Sequence, residues 1–433
     1  MLTTLKNAFK IKEIRQKILF TLGMLVVIRI GSQLPVPGVD TKFFSQWFAQ
    51  QTGGAFSFFD AITGGSFLNM SILALNINPY ITSSIIMQLL TIAIPKLEEM
   101  QRDGEDGRKK MVAITRYVTV ALALIQSTAM AIGFGRQGYL IEFNALNVIT
   151  TITALTAGSA FLMWVGERIT EKGIGNGISI VLVINIISRL PQDLSNLFEQ
   201  FVFGKAPATA ILAVVIIFAI IIAMVVLVII LNDGVRKIPV QYAKKMQGRK
   251  MVGGQTSNIP LKVNTSGVIP IIFAQSIMQF PIIICSFIGY NGTGVWAEIL
   301  KGLNSGYWCK PSQPIYSLGL LLYIVLIVFF AYFYTSITFN PLMIADNMKK
   351  QGGFIPGIRP GKPTSDYLNY IVFIGAIGLI IVSVIPYFFN GVFGASVSFG
   401  GTSLIIIVSV VLETMKQVES QMLVRNYKGF LED

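Results

Sequence analysis

The stretch ATAILAVVIIFAIIIAMVVLVIIL, Ala208 to Leu231, carries one hydroxyl and no charge along its whole length. As a helix rising about 1.5 Å per residue it reaches about 36 Å, enough to cross a hydrocarbon core of about 30 Å. Windows of about 20 apolar residues place further spans near 18–34, 73–95, 112–134, 147–165, 174–190, 265–288, 315–338, 367–389 and 400–421, so ten are expected. Composition agrees. Hydrophobic residues make up 53% and charged residues 13%, with a mean hydropathy of +0.67, as in polytopic helical membrane proteins. The fifth and tenth spans are marginal. Glu413 and Lys416 enter the tenth early, at an i,i+3 spacing that lets them pair.

The middles of these spans hold almost no ionisable side chain, and the chain has no histidine. Transporters driven by protons or ions keep ionisable groups within the membrane, so the blank interior weighs against that class. Zero histidine removes Ser-His and Cys-His nucleophile pairs, HExxH zinc sites and imidazole proton relays, which weighs against a membrane enzyme. Cys285 lies in an apolar span and Cys309 in a loop, and two cysteines make neither a framework of bridges nor a metal cluster. No cofactor is expected.

Positive charge sorts by side. With the N-terminus inside, inner segments hold 27 of the 34 Lys and Arg residues; the outer side holds Arg29, Lys42, Arg136, Arg189, Lys205, Lys301 and Lys310. The positive-inside rule then places both termini in the cytoplasm, and attraction to anionic lipid accounts for part of the bias. Residues 1–17 are basic with apolar residues at helical spacing and show no small-residue cleavage site, which reads as an amphipathic segment on the inner surface rather than a removed signal.

Residues 53–70, GGAFSFFDAITGGSFLNM, are too apolar for a solvent loop and too broken by Gly and Ser to span. Two readings fit: a half-helix folded into the molecule, where irregular backbone is sheltered by protein or lines a water-filled cavity, or an interfacial loop. The second span opens Leu75-Asn76-Ile77-Asn78-Pro79-Tyr80-Ile81 and continues through Ser83, Ser84 and Gln88. The seventh repeats the style from Ser266 through Pro270, Ile272, Gln275 and Gln279. Each alone reads as interhelical polar packing. Placed second in the first five spans and second in the last five, they point to an internal repeat with a pathway between its halves. In this reading each proline breaks a backbone hydrogen bond within its apolar register.

Two long basic loops remain. Residues 232–264 carry Arg236, Lys237, Arg249 and Lys250 among short β-branched runs that suit a hairpin. Residues 339–366 carry Gly352-Gly353-Phe354-Ile355-Pro356-Gly357-Ile358-Arg359-Pro360-Gly361-Lys362, a turn with Arg359 at its tip. A tip arginine suits bidentate contact with carboxylate or phosphate. A large docking partner explains such loops better than topogenic charge does.

Taken in order, several of these segments resemble the SecY/Sec61-alpha family nearly end to end. The resemblance rests on Arg29-Ile30-Gly31 with Pro35-Val36-Pro37-Gly38, Asn78-Pro79-Tyr80-Ile81, Phe161 to Glu167 with Gly173 to Ile180, and Pro260 to Asn264. It closes with Ala345 to Lys350, the Pro356–Lys362 turn and Phe399 to Leu404. It implies an all-α polytopic membrane protein of the bacterial cytoplasmic membrane, with ten transmembrane helices in two pseudo-symmetric five-helix halves around an hourglass pore. The divisions would be 18–190 for the first half, 191–231 for an outer loop and sixth helix, 265–338 and 367–421 for the remaining helices, and 422–433 for a cytoplasmic tail.

The resemblance further implies a pore ring of Ile77, Ile81, Ile178, Leu182, Ile272 and Ile406. It implies a plug over about 58–70 that includes Phe58, Phe59, Ile62, Phe67, Leu68 and Met70, and a lateral gate between the second and seventh helices with Ser83, Ser84 and Gln88 facing Gln275 and Gln279. The function implied is passage of unfolded pre-proteins, with apolar segments released sideways into lipid. The partners implied are SecE, SecG, the ATPase SecA docking at Arg359, the ribosome, a signal peptide, SecDF and YidC. Leu182 stands where the ring more often has isoleucine. Asn76 and Asn78 stand where the family more often has Gly, Met or Thr, and their amides are candidates to hydrogen-bond the plug.

Overall fold

The computed structural model describes residues 8–50, 60, 63–136, 138, 140–203, 207–242, 245–247, 250–252, 256–288, 294–393 and 401–428. Helices occupy all ten expected windows. The first half comprises α1 (Lys12–Gly31), the short α2 (Thr41–Gln50), α3 (Asn78–Ala93) bent 109° into α4 (Pro95–Arg102), α5 (Gly104–Arg136), α6 (Ala145–Lys172) and α7 (Gly177–Phe201). The second comprises α8 (Pro207–Asp233), α9 (Ile269–Ile288), the short α10 (Val295–Leu303), α11 (Leu318–Thr338), α12 (Pro341–Lys350), α13 (Lys362–Phe393) and α14 (Gly401–Lys428). Among the described residues six helices are long and apolar enough to cross a membrane by length and composition, and the bent α3–α4 pair makes a seventh. The other three windows fall on α1, α9 and α14.

Both interrupted spans begin later than their apolar register, each after a left-handed turn and with a proline in the first helical turn. Pro79 and Pro270 each stand second in α3 and α9. Within the first turn of a helix the missing N–H loses no intrahelical bond, so proline here starts the helix rather than breaking it. Two residues before each helix the backbone turns left-handed, at Asn76 (φ 53°) and Gly267 (φ 64°). One constant offset carries Asn76 onto Gly267, Ile77 onto Val268, Pro79 onto Pro270, Ile81 onto Ile272, Ser84 onto Gln275 and Gln88 onto Gln279. The internal repeat therefore extends to backbone conformation.

The long loops fold together at the end of the bundle where α8 finishes. β1 (Val235–Tyr242) pairs antiparallel with β4 (Thr256–Lys262), and β5 (Gly353–Phe354) adds to the other edge of β1. Between them β2 (Lys245–Gln247) and β3 (Lys250–Val252) pair as a separate ribbon. The expected hairpin is present, and a strand from the second loop extends it. Ile238, Val240 and Leu261 pack with Met348, Ile355, Leu368 and Ile371 into one apolar cluster, so the two loops form a single platform. At the start of the chain Ala8 and Ile14 pack with Ile174 and Val418, which docks this segment onto the bundle. Lys416 pairs with Asp233 at 2.5 Å, linking α14 to α8 rather than pairing with Glu413 along its own helix.

Candidate functional site

The apolar cores divide by half, with one cluster between them. Met224, Val228, Phe273, Met278, Tyr323, Ile327, Phe330, Leu379 and Val382 fill the second half. Val36, Phe44, Phe67, Met70, Met130, Phe134 and Leu155 fill the far end of the first. The middle cluster draws on α1, α3, α6 and α7 of the first half and on α9 and α14 of the second. All six positions expected in the ring lie in it: Ile77, Leu182 and Ile406 buried, and Ile81, Ile178 and Ile272 packed partly buried against them.

Two members escape a motif-by-motif reading. Val268 packs in the same cluster at the position that the repeat pairs with Ile77, so the offset between the two spans could have found it. Ile186, 1% exposed, lies one helical turn beyond Leu182.

Toward the platform end the cluster opens into a cavity of about 540 Å³ between α3, α5, α6, α7 and α9. Ile81, Ile178 and Ile272 floor it, together with Ser84, Ile85 and Gln88 from α3 and Ile269 and Phe273 from α9. Arg116 and Glu167, paired at 2.8 Å, and Glu171 form a charged rim. Of the expected gate residues, Ser84 and Gln88 line this cavity. Ser83 is buried and donates to the Thr115 carbonyl at 2.8 Å, fixing α3 to α5. Gln275 accepts from the Tyr387 hydroxyl at 3.0 Å and so lies among the second half's helices, and Gln279 is buried; neither lines the cavity.

At the other end of the cluster lies the expected plug. Phe58, Phe59 and Ile62 fall outside the described residues, while Asp60 and residues 63–70 form a compact turn, buried except for the half-buried Leu68 and the exposed Asn69. Phe67 meets the edges of Phe44 and packs with Phe134, with Leu68 and Met70 alongside. Its closest approach to the rest of the fold is at Gly64, where a Cβ would stand 2.7 Å from the Asn185 carbonyl oxygen and 2.8 Å from Ser188 Oγ. Only glycine fits that contact. Arg29 donates to the Gly64 carbonyl at 3.4 Å. Asp60 accepts from the Leu68 amide at 2.9 Å and pairs with Arg189 of α7 at 2.7 Å.

Asn76 hydrogen-bonds to two neighbouring helices. Its Oδ1 accepts from Asn185 Nδ2 at 3.1 Å and its carbonyl accepts from Ser159 at 3.0 Å. It thus fixes the start of α3 to α6 and α7.

On the platform, Arg236 and Lys237 are exposed on β1. Arg359 is exposed just beyond a turn closed by the Ile358 amide on the Ile355 carbonyl at 3.0 Å, with Gly357 at φ 84°. Proline followed by a left-handed glycine is a type II turn, and the Thr364 hydroxyl bonding the Arg359 carbonyl at 2.9 Å holds its far side. Lys250 lies in β3, and Arg249 lies outside the described residues. Among the described residues no group of three or more acidic, cysteine or histidine side chains is placed to hold a metal ion.

The SecY family model matches residues 71–415. The protein translocase subunit SecY of Streptomyces galbus is 43% identical over 457 residues, covering 100% of both chains. That of Corynebacterium glutamicum is 41% identical, covering 98% of this chain and 99% of its own. Among solved structures, one described as a protein-conducting channel superposes with a TM-score of 0.63 at 20% identity, covering 94% of this chain and 92% of that one. Sec61 in a canine ribosome–channel complex superposes at 0.61 with 18% identity, over the same shares. With helices in all ten expected windows and an apolar cluster shared by the two halves, the chain belongs to the SecY family of pore-forming subunits of protein-conducting channels.

Proposed function

We propose that Ile77, Ile81, Ile178, Leu182, Ile272 and Ile406 form the seal of a pore for unfolded polypeptide, that residues of about 58–70 plug it, and that α3 and α9 border its lateral gate. Family membership makes the chain a pore-forming, protein-translocating channel subunit rather than a catalyst. The observation that carries the assignment is one apolar cluster assembled from both halves, with all six positions in it.

The physics suits the task. A pore that passes every side chain must trap none, and an apolar collar makes no hydrogen-bond demand. It dewets when empty, which resists ion leak. A segment that pauses beside α3 and α9 partitions by composition. Leu, Ile, Phe and Val each favour the membrane centre by about 0.3–0.6 kcal/mol, whereas Asp, Lys and Arg cost about 2.5–3.5.

The cavity lined by Ser84 and Gln88 supports a gate on the α3–α9 side, where an apolar signal peptide would enter. A solved SecY is described as having a plug domain that stabilises the closed state and maintains a membrane seal. The buried turn at 63–70 supports the same role in this chain.

The multi-pass chain sits, in this reading, in a bacterial cytoplasmic membrane with its platform and both termini inside, as the positive-inside rule requires. Small membrane subunits of the SecE and SecG type, SecA and the ribosome are the partners typical of the family; SecDF, YidC and anionic lipid extend that set. The chain carries no nucleotide-binding loop, so a docked motor or ribosome supplies the energy. Exposed Arg236, Lys237 and Arg359 on one rigid platform support docking there.

The test is reconstitution with the small subunits in vesicles, followed by uptake of an unfolded pre-protein with SecA and ATP. Uptake by the wild type, with Arg359→Glu assembling normally but failing to import, is expected. A folded complex that imports nothing would overturn the reading.

A further inference from the structure

Asp60 is fully buried, and its carboxylate lies 2.7 Å from the Arg189 guanidinium, itself 17% exposed. A buried pair at an irregular turn is costly to build, since each ion loses its water and is stable only while its partner stays in place. Nothing in the helical packing requires it: α7 is already fixed by packing against α6, α8 and α14. The pair's distinctive feature is that it joins the plug turn to a pore helix. Around it sit the other ties of that turn to the pore wall, namely Arg29 on the Gly64 carbonyl and Ser188 Oγ 3.3 Å from the same oxygen.

We propose that the Asp60–Arg189 ion pair is the latch of the plug. It holds the turn against α7 in the resting channel and breaks when a translocating chain displaces the plug, so Arg189 sets how readily the channel opens. The proposal rests on the channel reading above. It adds a specific gating residue on the pore wall that acts through the plug rather than by touching the translocated chain.

The latch accounts for two further features. The Arg189 Nε is buried without a hydrogen-bond partner and Nη1 reaches Gln192 Oε1 only at 3.5 Å, so the carboxylate 2.7 Å from Nη2 is the closest partner of the guanidinium. Glycine at 64 lets the turn approach α7 closely enough for Asp60 to reach the arginine. Removing Arg189 strands the fully buried Asp60 carboxylate, a penalty relieved when the plug swings out; removing Asp60 takes away the turn's charge contact with α7 and leaves Arg189 beside Gln192. Loss of one partner therefore favours the open state, whereas loss of both removes the stranded charge as well.

The test uses the full channel complex in planar bilayers. Asp60→Asn and Arg189→Gln are each expected to raise resting ion conductance by about tenfold, the effect of about 1.4 kcal/mol. The double variant should leak no more than the worse single, and Arg189→Lys should stay near wild type. Wild-type conductance in both single variants, or effects that multiply in the double, would overturn the latch.

A second measurement does not depend on the charge-removing variants folding. In Arg189→Lys a carbodiimide should join the Asp60 carboxylate to the introduced amine in the resting channel, and fail to do so when an arrested pre-protein fills the pore. Equal cross-linking in both states would also overturn it. If the channel reading itself were wrong, the wild-type complex would import no pre-protein. A working importer whose leak ignores Asp60 and Arg189 refutes the latch alone.

Discussion

Replacing Gly64 by alanine asks how closely the plug turn must approach α7 for the channel to seal. Two costs fall on the variant. Gly64 sits at φ +66°, where an L-residue loses about 1–2 kcal/mol. Its new methyl would also stand 2.7 Å from the Asn185 carbonyl oxygen and 2.8 Å from Asn185 Cα. Both are main-chain atoms in mid-helix and cannot rotate aside, so overpacking adds about 1–3 kcal/mol.

Gly65 is the internal control. It too is left-handed, at φ +83°, yet its nearest neighbour is the flexible Arg189 side chain at 3.7 Å. Gly65→Ala therefore carries the backbone cost alone. The difference between the two, about 1–3 kcal/mol, is the share that opening relieves, and it corresponds to about 5–150-fold in the ratio of closed to open channels. Resting ion conductance of the reconstituted complex reads that ratio directly. Equal leak in the two variants would refute the reasoning, because it would mean that contact with α7 does not hold the plug.

Glycine at both Ile81 and Ile272 removes the side chains that floor the cavity from the two halves, and resting conductance should rise while assembly with the small subunits is retained. Tyr387→Phe strands the buried Gln275 Oε1, 3% exposed as a residue. Thermal unfolding in nanodiscs should show a loss of about 1–3 kcal/mol, with Gln275→Leu combined with Tyr387→Phe closer to wild type than the single change.

The ten windows were legible because a bilayer demands long apolar runs and the chain supplies them without periodic ambiguity. Proline was harder: Pro79 and Pro270 read as interruptions because their windows were drawn from hydropathy, which does not mark where a helix begins. The left-handed turns at Asn76 and Gly267 decide that, and asparagine among isoleucines gives little hint of one.

The Asp60–Arg189 pair was invisible for a different reason. Its members are distant in sequence, and Arg189 counted as an outer-side charge at the last turn of a marginal fifth span, whereas α7 continues to Phe201 and keeps it well within the helix. The six expected ring positions are all apolar, whereas the turn beyond them carries the buried Asp60 paired with Arg189. Likewise nothing in residues 339–366 announces that Gly353 and Phe354 will pair with Gln241 and Tyr242, since a two-residue strand carries no periodicity. The Pro356-Gly357 turn was legible because it is local chemistry, although Arg359 stands just beyond it rather than at its tip.

The central claim is that a translocating chain passes through the apolar cluster between the halves. The most direct measurement arrests a pre-protein in the reconstituted channel with a photo-activatable side chain placed in turn at Ile81, Ile272, Ile406 and Gln275. Cross-links to the arrested chain from the first three and none from Gln275, which is held against Tyr387, are the result predicted. Cross-links absent from the three isoleucine positions, in a complex that imports normally, would contradict the account.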